Sequence, residues 1–216
     1  RTLGEREAAA QIHTWLEALH DATLRSIGQV MREHGIAYIP ASPERPSASG
    51  RARGTSPAIW PGGALRPDDP LVTRSFDLYW DEQIAPHGGG YWHGGSPWPY
   101  AGLALAHCYL RIGQRERTNQ MLRWALDHQS APGTYAWAEV ASGSTGLLLG
   151  GDVPHGWACA EYVSLVRDML VREEGGTILL ASGVPAAWYD NGRRIELERA
   201  RTTFGQVGYE CSSRLD

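Results

Sequence analysis

One acidic residue, Glu139, ends the run Gly133-Thr134-Tyr135-Ala136-Trp137-Ala138-Glu139, with two aromatic side chains just before it. Glycine-rich residues follow as far as Gly151, and Gly151-Asp152-Val153-Pro154-His155-Gly156-Trp157 then leads into a helical pattern. Flat aromatic faces bind sugar rings, and carboxylates hydrolyse the bonds between them. An acid among Trp and Tyr on a loop therefore has the make-up of a glycosidase site. The plainer reading of Glu139 is a loop acid that faces solvent.

Other residues could serve the same chemistry. His87-Gly-Gly-Gly-Tyr91-Trp92-His93-Gly-Gly-Ser96-Pro97-Trp98-Pro99-Tyr100 is a second aromatic loop, whose glycines permit close ligand approach. Trp92, with His93 beside it, reads as a sugar platform, and Trp98 more as packing. Tyr135, Trp137 and Trp157 complete the aromatic set. Asp152, two places before Pro154, has the spacing of a helix N-cap. His155 is either a satisfied structural histidine or a contact to a sugar hydroxyl. Glu161 lies four residues after Trp157, hence on one helix face, where it either meets substrate or faces solvent. Asp81-Glu82 sits at a helix end, where the macrodipole opposes a negative charge, so Glu82 is a candidate second acid.

Several chemistries are excluded or disfavoured. All 20 basic residues are arginine, so Schiff-base catalysis and P-loop phosphate binding lack their lysine. A net charge of -4 with no long basic run argues against a nucleic-acid partner. Cys108, Cys159 and Cys211 form no CxxC pair and suggest neither a zinc knuckle nor a disulfide framework. His87, His93 and His155 lack the spacing of a helical zinc site, so no metal is expected. With no calcium loop and no nucleotide motif, no cofactor is implied. No window reaches the roughly 20 apolar residues of a membrane span. No signal-peptide pattern is present, a weak lean towards the cytoplasm.

Elements that must position these residues follow from periodicity. Helices are predicted over about 5–33, 71–84, 101–112, 115–129 and 152–172, and a long loop over 40–70 with seven prolines. Short alternating runs at 177–182, 194–198 and 203–211 predict strands. The expected organisation is thus a helical region over 1–174 and a small β tail over 175–216. Helical hairpins with functional loops at one end describe a partial α/α toroid, and the fold class is mainly α.

Three segments resemble the C-terminal half of six-hairpin glycosidases, the group holding glucoamylases and rhamnosidases. They are Gly94-Gly95-Ser96-Pro97-Trp98-Pro99-Tyr100, the run Gly133–Val140 with Thr145-Gly146, and Pro154-His155-Gly156-Trp157-Ala158-Cys159-Ala160-Glu161-Tyr162. Ser182-Gly183-Val184-Pro185 with Trp188-Tyr189 is similar to the segment where such enzymes leave the toroid for a β-sandwich. The resemblance implies a glycoside hydrolase acting on an oligosaccharide or glycoconjugate by inversion, with Glu139 as general base. It places the general acid in the preceding half of the toroid, so a further segment or another chain would complete the ring. Where glucoamylases have Glu-Gln, this chain has Glu139-Val140. Two other classes stay open: a non-catalytic carbohydrate-binding or scaffold protein, and a polysaccharide lyase or epimerase using Tyr135 and His155.

Overall fold

The computed structural model describes residues 5–47, 50–143 and 145–213. About half the chain is helical, and the protein is mainly α. It divides into two compact units, Arg1–Tyr79 and Trp80–Asp216. The expected boundary at 174–175 thus lies inside the second unit.

The first unit holds α1 (Arg6–His34), α2 (Arg51–Ile59) and α3 (Pro70–Tyr79). Gly35 ends α1 in the left-handed conformation that a residue with a Cβ rarely adopts. The apolar stripe of α1 exists as the periodicity predicts, but Ile12, Trp15, Leu16 and Leu19 are all about 60% exposed. α2 was not anticipated, because Pro57 and the surrounding prolines read as loop. Pro57 removes the N–H that would reach the Arg53 carbonyl, and the Ser56 hydroxyl donates to that carbonyl instead (2.9 Å). Asp69 caps α3 by accepting from the Leu71 N–H (2.7 Å), with Pro70 as the first helical residue. Buried Tyr79 donates to the Ile39 carbonyl (2.6 Å), and burial pushes its phenol up to about 12, so it remains a donor.

The second unit opens with a π-helical turn, Trp80–Ile84, in place of the last turn of an uninterrupted helix. A hairpin follows, β1 (Trp92–His93) with β2 (Ser96–Pro97), whose two-residue turn Gly94-Gly95 has positive φ at both positions. α4 (Pro99–Arg111) and α5 (Arg115–Asp127) form an antiparallel hairpin around Gly113. The strands β3 (Val140–Ala141) and β4 (Leu148–Gly150) bracket the loop after Glu139. α6 (Gly156–Leu170) packs on α4. It ends two residues earlier than expected, because Val171 starts β5 (Val171–Glu174), which pairs with β6 (Thr177–Leu180). A last hairpin joins β7 (Arg194–Thr202) to β8 (Gly205–Ser212).

α4 is apolar on nearly every side because it lies at the centre, with Leu103, Leu105, Tyr109 and Leu110 buried against α5 and α6. One polar residue in this core, His107, is fully buried. Its Nε2 lies 3.2 Å from the Glu161 carboxylate and its Nδ1 3.6 Å from Asp168, both on α6. Burial by itself lowers the affinity of this imidazole for a proton. Hydrogen bonds and charge from Asp168 and Glu161 outweigh it, so the His107 pKa is raised above the ordinary 6.5. The protonated form is therefore favoured by folding, and its contribution is complete below pH 6.5 and lost as pH rises through the higher folded-state value. Urea titrations should show stability falling across that window, and His107→Gln should flatten the fall. A wild-type protein that gained stability there would contradict this assignment.

Candidate active site

The chain from Trp137 to Glu139 is sewn to the segment before α6 by two backbone hydrogen bonds. The Glu139 N–H donates to the Asp152 carbonyl (3.0 Å), and the His155 N–H donates to the Trp137 carbonyl (2.7 Å). These bonds bring three side chains together. One donor atom each from Glu139, Asp152 and His155 lies within 4.8 Å of the other two. Such a set of two carboxylates and one imidazole could also hold a metal ion, a possibility that residue spacing along the sequence did not suggest.

Asp152 does not cap α6. His155 holds the N-cap position, no side chain caps the helix, and the Asp152 carboxylate instead accepts from His155 Nδ1–H (2.7 Å). Asp152 is exposed, whereas His155 is buried and its Nε2 has no hydrogen-bond partner among the described residues. Glu139 is half-buried, and its carboxylate makes no hydrogen bond or ion pair among the described residues. Gly151 leaves it room. A Cβ at Gly151 would overlap the Glu139 carboxylate and lie 2.7 Å from the Glu139 Cβ, on a backbone with φ +80°. Gly151→Ala should therefore displace the acid and lower any turnover about 100-fold. A variant with the wild-type rate would show that Glu139 need not sit where it does.

Two aromatic rings, Tyr100 and Trp157, pack on His155 of the cluster. Trp157 is 65% exposed and lies 5.4 Å from Tyr100 and 5.8 Å from His155, ring centre to ring centre. Tyr135, 53% exposed, stacks on Tyr162 at 5.5 Å. Its backbone has φ 52°, a left-handed conformation unfavourable by about 1 kcal/mol for a residue with a Cβ. The Gln129 side chain accepts its N–H (2.5 Å) and helps hold it there. No role for Tyr162 was read from the sequence. Tyr162 follows Glu161 directly, and only the turn of α6 places it beside Tyr135 and Trp137.

Trp137 is no sugar platform. It is completely buried, its Nε1–H donates to the Ala125 carbonyl (2.6 Å), and its ring meets Tyr162 at 5.0 Å. Full burial leaves no face of the ring open to a sugar. Trp92 is half-buried and stacks on His87 at 4.6 Å. A Cβ at Gly143 would come within 2.5 Å of the Trp92 ring, so this side chain packs on the loop after Glu139. His93 meets Trp98 edge to face at 5.8 Å, and both are half-buried. Glu161 is engaged with His107, which anchors α6 to α4. Glu82 is exposed in the π-helical turn and is not one of the three clustered residues.

Among the described residues no helix is long and apolar enough to cross a membrane. The sequence matches no protein-family model, no curated protein and no solved structure.

Proposed function

We propose that this chain carries the base side of a glycoside hydrolase active site on part of an α/α toroid, with Glu139 activating water. The observation that carries this reading is the state of Glu139. Its carboxylate has no hydrogen-bonding or ionic partner among the described residues, has space kept for it by Gly151, and shares a cluster with His155, on which the exposed Trp157 ring packs. A general base needs both a lone pair not already engaged and a neighbouring surface that holds the substrate. Trp157 and Tyr135 supply that surface, with Tyr100 and Tyr162 behind them.

Asp152 is too close to be the acid of an inverting pair. Inversion needs carboxyl groups about 6.5–9.5 Å apart to admit a water, and Asp152 approaches Glu139 within 4.8 Å. The general acid of an inverting reaction would then come from outside this cluster. The short separation favours one second reading, in which Glu139 and Asp152 act as the pair of a retaining enzyme, where about 5–5.5 Å is usual. Proton NMR of the first-formed product separates the two. An inverted anomer supports water activation by Glu139, and a retained anomer supports the pair.

Trp157→Ala tests the sugar surface. The side chain is exposed, so folding stability should hardly change, while saccharide affinity should fall about tenfold for the loss of one stacking face. Unchanged affinity in calorimetry would remove Trp157 from the site.

A further inference from the structure

We infer that the Glu139–Asp152–His155 site selects uncharged sugar units and rejects anionic ones such as uronates, with Asp152 as the residue that sets this selectivity. The inference rests on the glycosidase reading and deepens it. Two carboxylates lie within 4.8 Å of each other, and among the described residues neither is paired with an arginine. There is no lysine in the chain to neutralise them. The arginines associated with α6 are spent elsewhere. Arg111 and Arg167 pair with Asp168, and Arg172 with Glu174. Ten residues separate Trp157 from Arg167, which places that positive charge about 15 Å along the helix from the site. The only positive group within the cluster is the His155 imidazole when protonated, and its Nδ1–H is already given to Asp152.

The positive end of α6 could attract an anion, but Asp152 already lies just ahead of it in the chain. The exposed face of Trp157, packed on His155, acts in the same direction. An aromatic face carries negative potential, so it attracts C–H bonds and cations and repels carboxylates. A sugar whose anomeric carbon faces a water on Glu139 keeps its C6 substituent within one ring width of these charges. A C6 hydroxyl is acceptable there, and a C6 carboxylate meets like charge with no counter-charge.

The test is calorimetric titration of the 216-residue chain with matched panels of neutral and uronic-acid oligosaccharides, in EDTA and again with added calcium. Neutral ligands should bind at least tenfold more tightly than their uronate counterparts at low salt. The ratio should shrink in 0.5 M NaCl, because screening weakens repulsion between exposed charges. Asp152→Asn should cut the ratio to about threefold and remove most of its salt dependence, which the loss of a merely structural hydrogen bond would not do. Equal or tighter binding of uronates would overturn the selectivity and leave the hydrolase reading standing. Uronate binding that appears only with calcium would also overturn it, since a bound cation would have reversed the local charge. Binding of no saccharide in either panel would overturn both.

Discussion

Replacing Glu139 by glutamine is expected to abolish turnover while leaving saccharide affinity within about twofold of wild type. Glutamine matches glutamate in size, and the space beside Gly151 accepts it without repacking. The Glu139 backbone N–H still reaches the Asp152 carbonyl, so the segment keeps its place. What is lost is a basic oxygen, and removal of a general base costs about 10²–10⁴ in rate. Initial rates on the best saccharide found by titration, with calorimetry on the same preparations, read the two effects separately. A variant that hydrolyses at the wild-type rate would eliminate Glu139 as the base. If wild type and variant bound alike and neither released product, the chain would be a carbohydrate-binding protein.

Trp137→Ala is expected to have the largest effect on stability. The ring is fully buried among Tyr162 and the end of α5, and truncation of a buried aromatic to alanine costs about 3–5 kcal/mol. It also leaves the Ala125 carbonyl without its donor. Since a domain is stabilised by only about 5–15 kcal/mol, such a variant stands near the limit of folding. Trp137→Phe keeps most of the volume and loses the N–H, so it should cost about 1–2 kcal/mol. Denaturant melts of the two variants test the ordering. Should Trp137→Ala melt like wild type while saccharide binding disappears, Trp137 would be a binding residue after all.

Much of the scaffold was legible because local rules decided it. α4 and α5 lie within one or two residues of their predicted limits, since an apolar run and a 3.6-residue period survive in any tertiary setting. Gly35 and Gly113 stand just past helix ends that lie within a residue of those predicted, because only glycine adopts their left-handed backbone without strain. α2 was missed because Ser56 satisfies the carbonyl that Pro57 orphans, a compensation that composition does not reveal.

The sequence by itself determined that Glu139 stands on an aromatic, glycine-rich loop, that lysine chemistry is impossible, and that the chain is mainly helical. Those properties depend on residue type and near neighbours. Tertiary structure alone decided which aromatics face outward. Trp137 and Trp157 look alike in sequence, yet one lies under α5 and the other stands in solvent. It also turned Asp152 from an apparent helix cap into the partner of His155 and brought both to Glu139. That last step rests on two backbone hydrogen bonds between segments more than ten residues apart, and no local pattern encodes such a pairing.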